Sequence, residues 1–209
     1  MNINHPKSGP SSEFDVAVQV IDGKERLRQT LRVSSLEHTF DNFKILAGTE
    51  EAFNSFEAFA EGKGPPLLLC YGGVGNGKTY LLEATAIRLR VRGVFCRCYA
   101  WPEIMGTFKS HLGHGSVPPY DDLFWRFCRA SVLLVDDVGM GGSGSEWEFG
   151  VLEELINYRY RERLMTALVT NKELDQLPER VVSRCRDLDI GKIVWNAGKD
   201  YRRYHGAEG

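Results

Sequence analysis

Apolar residues fall along the chain in two alternating rhythms. Short unbroken runs at 67–71, 94–99, 131–135, 165–170 and 188–194 have the length of strands, and their lack of alternation marks strands covered on both faces. Between them, apolar positions recur three and four residues apart, the spacing of one helix face. Such stretches lie at 49–61, where Phe53, Phe56 and Ala60 share a face behind a capping Thr49, and at 78–92, with Leu82, Ala86 and Leu89 aligned. Others run from Pro102 to a break at 113–119, at 121–129, at 146–160 with Trp147, Val151, Leu155 and Tyr158, and at 178–186. Strands alternating with helices predict an α/β fold: a mostly parallel sheet flanked by helices, with ligands at the carboxyl ends of the strands. Ahead of this pattern, residues 1–13 are polar and rich in Pro, Gly and Ser and read as a disordered start. Residues 14–35 read as a short strand at 16–21 and a helix at 24–33. The chain thus divides into an N-terminal extension, 1–35, and a core, 36–209.

At 209 residues, 43% hydrophobic and 26% charged, the chain can bury a single core without covalent staples. Its formal charge of −2 gives no global basic field, so any nucleic-acid contact must come from a local patch. The five cysteines, Cys70, Cys96, Cys98, Cys128 and Cys185, form no CxxC pair or zinc-type cluster and read as buried free thiols. An odd cysteine count without a signal peptide fits a reducing cytoplasm. No apolar run approaches the ~20 residues that cross a bilayer, so no membrane partner is expected.

Candidate chemistry is concentrated behind the first predicted core strand. Gly72-Gly73-Val74-Gly75-Asn76-Gly77-Lys78-Thr79 matches the phosphate-loop pattern GxxxxGK[ST] throughout, between a predicted strand and a predicted helix. A chance match in a chain this long is on the order of 1%. Glycines let the backbone wrap an oxyanion so that successive N–H groups point inward at a helix N-terminus. Lys78 supplies a point charge for the β- and γ-phosphates, and the Thr79 hydroxyl a ligand for Mg²⁺; with Tyr80, this stretch is the expected ATP-binding segment.

The run Val132-Leu133-Leu134-Val135 ends in Asp136-Asp137, an apolar strand closing on two carboxylates. Asp136 is expected to hold Mg²⁺, and Asp137 to orient or deprotonate the attacking water. Many ATPases carry Glu at the second position; Asp is one methylene shorter. Thr170-Asn171 closes the 165–170 strand, and Asn171 is the candidate for positioning water beside the γ-phosphate, although Asn and Thr are also ordinary turn residues. Arg180 and Arg184 lie four apart on one face of a predicted helix. Arg184 is the candidate finger for a neighbour's ATP, a role worth about 10³–10⁵-fold in GTPases, with Arg180 bracing the interface. A solvated basic helix is the plainer alternative for both.

With these residues in place the chain resembles the AAA+ ATPases of the DnaC/DnaI helicase-loader and IstB group. The resemblance covers about residues 36–203: Phe40-Asp41-Asn42-Phe43, YGGVGNGKTYL, VLLVDDVG, Asn157-Tyr158-Arg159-Tyr160, VTN, PERVVSRCRD and IVWNAGKDYRR. It implies ATP-driven self-association into a ring or filament, contact with single-stranded DNA and delivery of a replicative helicase. The alternative is an IstB-like helper that binds duplex DNA and recruits a transposase. Family DNA contacts would correspond to 104–114 and 139–146, where Phe108, Lys109, His111 and His114 offer a charge and a stacking ring. The departures are a preceding segment of only about 35 residues, Asp-Asp in place of the Asp-Glu usual in IstB-like proteins, and no C-terminal helical lid.

Overall fold

The structure, a computed structural model, describes residues 13–112, 119–140 and 145–201, with side chains from Asp22 onward. Five strands, β1 (Leu67–Tyr71), β2 (Cys98–Ala100), β3 (Val132–Asp136), β4 (Met165–Thr170) and β5 (Gly191–Trp195), form one parallel sheet in the order β2-β3-β4-β1-β5. Among the described residues the helices are α1 (Glu13–Leu31) and α2 (Glu50–Ala60) ahead of the sheet, and α3 (Lys78–Val91), α4 (Trp101–Ser110), α5 (Tyr120–Cys128), α6 (Glu146–Arg161) and α7 (Glu179–Cys185) between its strands. A 3₁₀ turn, Leu174–Gln176, lies between β4 and α7. Among the described residues no α-helix follows β5.

The unbroken apolar runs are explained by burial on both faces of the sheet. On β1, Leu67 and Leu69 enter one core, with α4, α5, α6 and α7, while Leu68 and Cys70 enter the other, with α2, α3 and the end of α1. β3 splits the same way: Leu133 and Val135 against Val132 and Leu134. Leu69 is fully buried, and its truncation to Ala would cost about 2–5 kcal/mol. Leu31 and Val33 also belong to the second core, so the chain ahead of residue 35 is joined to it by packing.

Three local expectations are corrected. Residues 16–21 are helical, part of α1. The alternation Val16-Ala17-Val18-Gln19-Val20 favours a strand, but a helix satisfies its own backbone groups without a sheet edge to pair with. The strand expected at 94–99 is only Cys98–Ala100, because β3 pairs no further back than Leu134 on that side. Thr49 stands at the N-cap of α2 but does not cap it; its hydroxyl donates to the carbonyl of Leu46 at 2.7 Å and accepts from the Leu46 N–H at 2.9 Å, closing the preceding turn. The true side-chain cap is Ser145 on α6, whose hydroxyl accepts from Glu148 N–H. The disordered start expected at 1–13 lies outside the described residues, apart from Glu13 in α1, and so do the break at 113–118 and residues 141–144.

Arg159, fully buried on α6, is a tie that periodicity does not reveal. Its guanidinium donates to the carbonyls of Phe127, Cys128 and Ala130 at the end of α5, to Met165 O at 2.7 Å, and to Thr166 Oγ1 at 2.7 Å at the start of β4. Burial lowers its pKa to about 10, so it stays charged at neutral pH.

Candidate functional site

The loop Gly72–Thr79 joins the carboxyl end of β1 to the first turn of α3. Gly77, at φ +91°, is the left-handed N-cap of α3, and a Cβ there would come within 2.9 Å of the Phe43 ring. Gly72, at φ +143°, lies so close to the carbonyl of Asn196 that no side chain fits. Lys78 is 5% exposed and curls back into the loop: its Nζ donates to Gly72 O at 2.9 Å, Gly73 O at 2.6 Å and Asn76 Oδ1 at 2.9 Å. The ammonium is therefore held against the loop itself.

The loop is braced from the far end of the chain. Asn76 Nδ2 donates to Asn196 O at 2.7 Å, and Asn196 Nδ2 donates to Asn76 O at 3.0 Å. Asn196 Oδ1 accepts from Gly198 N–H at 3.1 Å, and Tyr201 N–H donates to Gly75 O at 3.0 Å. Residues 196–201, directly after β5, thus strap across the phosphate loop, with Asp200 against Gly75. Asn196, Lys199, Asp200 and Tyr201 carry no individual signal in the sequence; they lie in the IVWNAGKDYRR segment, whose only mark is its family resemblance.

The acidic strand end meets the loop. The Thr79 hydroxyl donates to the Asp136 carboxylate, and Asp137 N–H donates to Asp136 Oδ1 at 2.8 Å. Burial is the main influence lifting the Asp136 carboxyl above its ordinary value; the Thr79 hydrogen bond opposes it, and the charges of Asp137 and Glu83 add to it. Asp137 takes a left-handed backbone, φ +52°, which Asp tolerates better than most residues. This turn aims its side chain toward β4, where Asn171 Nδ2 donates to Asp137 Oδ1 at 3.2 Å. Thr170 fixes the same corner by donating to Val138 O at 2.7 Å.

A cleft of about 590 Å³ opens over these groups, within the range of ligand-binding sites. Val74 through Tyr80, Asp136, Asp137 and Asn171 all line it; Gly72 and Gly73 contribute instead the carbonyls that hold Lys78. Its remaining wall is the segment from Ser34 to Thr49 together with Lys199 and Tyr201. Glu83, buried on α3, secures that wall by accepting from Ser34 N–H at 2.8 Å and Ser34 Oγ at 2.9 Å, and it pairs with His38 Nδ1 at 2.6 Å. The His38 ring lies 4.3 Å from that of Tyr80, whose hydroxyl donates to Glu37 O. Sequence reasoning missed Glu83 and His38; a carboxylate four residues beyond Thr79, on the inner side of α3, was the available signal.

Asp136 and Thr79 fit a hard divalent cation: two oxygen ligands in contact, one a carboxylate whose burial disfavours its charge unless a cation balances it. Among the described residues no cluster of three or more His, Cys, Asp or Glu forms an all-protein metal cage.

Arg180 and Arg184 do not line this cleft. Arg184 lies against α6, donating to Asn157 Oδ1 at 2.6 Å and to Arg180 O at 2.9 Å, with its guanidinium 5.8 Å from the Tyr160 ring centre. Arg180, largely exposed, approaches Glu153 at 3.7 Å. Phe108 is fully buried in the α4–α5 core and is not an open stacking ring. Lys109 pairs with Glu148 at 2.8 Å, and His111 bonds back to Thr107 and Ser110. His114 lies outside the described residues.

A five-stranded parallel sheet flanked by helices, with a phosphate loop after β1 and carboxylates at the end of β3, has the fold of AAA+ P-loop domains. No protein-family model matches the chain. It is 32% identical over 185 residues to the chromosomal replication initiator protein DnaA of Roseobacter denitrificans, an alignment covering 83% of this chain and 39% of that protein. The chain thus spans about two fifths of that relative's length. Among solved structures, DnaI is 26% identical at TM-score 0.59, with 80% of this chain and 93% of that one covered. The DnaC helicase loader is 22% identical at TM-score 0.63, covering 77% and 97%. DnaA bound to AMPPCP and single-stranded DNA is 24% identical at TM-score 0.63, covering 78% and 50%. No described helix is long and apolar enough to cross a membrane.

Proposed function

We propose that this protein is a Mg²⁺-dependent ATPase of DNA replication, a DnaC/DnaI-like accessory that acts on single-stranded DNA and a replicative helicase. Residues 36–209 form the ATP-binding core and 1–35 an extension to it. The observation that carries the hydrolytic part of the reading is the Asn171–Asp137 hydrogen bond at the carboxyl ends of neighbouring strands, beside the loop that encloses Lys78. A bare phosphate-binding turn does not need an amide and a carboxylate held together at that place.

The loop amides and Lys78 bind the β- and γ-phosphates, at a helix N-terminus whose dipole favours anions. Thr79 and Asp136 hold Mg²⁺, which neutralises charge on the phosphate oxygens when bound. Asp137 accepts a proton from the attacking water or orients it, and Asn171 fixes the Asp137 carboxylate and contacts the same water. Arg184, steadied by Asn157 and with Arg180 beside it, reaches a neighbouring subunit's nucleotide in a ring or filament. Its position outside the cleft of its own chain suits action in trans. The resemblance to DnaI, over nearly all of that chain, supports the loader reading.

The similarity to DnaA supports a second reading, in which the same ATPase works with the replication initiator rather than the helicase. Calorimetry with ATP tests the site: Lys78→Ala should lose measurable binding, and unchanged affinity would remove the phosphate-loop assignment. Fluorescence anisotropy with an oligo-dT strand should show ATP-dependent binding that weakens as salt rises. Binding to neither single strands nor duplex would exclude the DNA role, and co-sedimentation with helicase or with initiator separates the two readings.

A further inference from the structure

A second cavity, about 380 Å³, lies away from the nucleotide cleft, where the sheet's edge strand β2 is cut short. The β2–β3 ladder begins only at Cys98 and Leu134, so Val132 and Leu133 pair with β4 on one side and, among the described residues, with no strand on the other. Residues 95–97 lie outside the β2–β3 ladder, and with α4 and α5 they line a groove. Its floor is apolar: Cys96, Ile104, Leu123 and Val132 are buried, and Phe127 is partly buried beside them.

The rim is charged with one sign in excess. Arg32, Arg97 and Arg126 line the groove against a single carboxylate, Glu103. Glu103 is already paired with Arg32, whose guanidinium lies 5.0 Å from the Tyr99 ring centre. Arg32 projects from a left-handed backbone, φ +59°, which non-glycine residues adopt only under strain. Neither Arg97 nor Arg126 has a carboxylate partner among the described residues.

We propose that this groove docks an acidic, extended peptide segment of a partner protein. An apolar side chain would fill the floor, its backbone would run along the unpaired edge at Ser131–Leu133, and flanking carboxylates would meet Arg97 and Arg126. Three features favour a peptide over a nucleic-acid strand. The floor accepts an aliphatic or aromatic anchor. The sheet edge offers main-chain partners that a peptide can match. The rings are not open platforms: Tyr99 and Phe127 meet edge-on at 5.0 Å and 70°, and the Phe95 face is covered by Arg97 at 5.2 Å.

The test pans a phage-displayed random-peptide library on the full-length protein, then measures a synthetic peptide of the recovered sequence by fluorescence anisotropy. Recovered peptides should combine Asp or Glu with a bulky apolar residue. Their affinity should fall roughly tenfold or more in Arg97→Glu/Arg126→Glu, with melting temperature and ATP affinity unchanged. Arg126→Gln alone should give a smaller loss, and binding to the wild-type chain should weaken as salt rises. Peptides without acidic enrichment, affinity indifferent to both variants and to salt, or displacement of the peptide by oligo-dT would each overturn the proposal.

Discussion

Replacing Asn196 by Ala should loosen the phosphate loop from 120 residues away. The side chain is 1% exposed and serves two groups at once, donating to Asn76 O and accepting from Gly198 N–H. Truncation leaves Asn76 O buried and Gly198 N–H half-buried without these partners. At about 1–3 kcal/mol for the buried carbonyl and about 1 for the half-buried N–H, the loss is about 2–4 kcal/mol in total. For a chain of this size that lowers the melting temperature by roughly 5–12 °C. The functional effect follows from the next link, because Asn76 Oδ1 is one of the acceptors that hold Lys78 Nζ. A loosened Asn76 lets the ammonium wander, so ATP affinity should fall about tenfold, corresponding to ~1.4 kcal/mol. Differential scanning fluorimetry with and without ATP, and calorimetry well below the transition, measure the two effects separately. Asn196→Asp should bind ATP more weakly still, since it sets a carboxylate against the Asn76 carbonyl and repels the loop it now braces. If Asn196→Ala melts within about 1 °C of the parent and binds ATP equally well, the strap is a bystander and the reasoning fails.

Asp137→Asn should keep ATP binding and lower turnover by about 10²-fold or more, as expected for loss of a water-activating carboxylate; a malachite-green phosphate assay giving full activity would move that role elsewhere. Arg184→Ala should fold normally and be inactive as an assembly, yet regain partial activity when mixed with Lys78→Ala, because each variant supplies what the other lacks. Failure of every mixing ratio in the same assay would remove action in trans. The five cysteines should resist iodoacetamide in the folded protein. Burial pushes Cys70, Cys96, Cys128 and Cys185 up to about 12 and Cys98 well above its ordinary value, so the thiolate fraction at pH 8 is roughly 10⁻⁴ or less. Burial favours the neutral thiol, so raising the pH toward that value should bring reactivity in. Rapid native-state modification of any of them, seen by mass spectrometry, would contradict the packing.

Much of the architecture was legible because its signals are local. Helices α2 to α7 and strands β1, β3, β4 and β5 begin and end within a few residues of where periodicity puts them, since a helix face and a doubly buried strand each write their own pattern. The misses have physical causes of other kinds. The stretch at 16–21 carries a strand's alternation yet forms a helix, and alternation says nothing about whether an edge is available. β2 is shorter than its apolar run, because the length of an edge strand depends on how far its neighbour can follow it. Phe108 looked like a candidate stacking ring beside Lys109, and the turn of α4 put it inside the core.

What the sequence by itself determined is the phosphate cup and the residues that surround it in the chain. Eight consecutive residues carry the glycines, the lysine and the hydroxyl, and a strand-to-helix turn can be inferred from its neighbours alone. The acidic pair could be named from the apolar run before it, but that Asp136 meets Thr79 and Asp137 meets Asn171 is a product of strand order. Only the tertiary structure decided the strap from Asn196 to Tyr201, the Glu83 clamp on Ser34 and His38, the five-way tie at Arg159 and the groove beside β2. Each of these joins residues far apart in sequence through directional hydrogen bonds or charge. Such a bond leaves no periodic trace in a single chain, because either partner, read alone, is an ordinary polar residue.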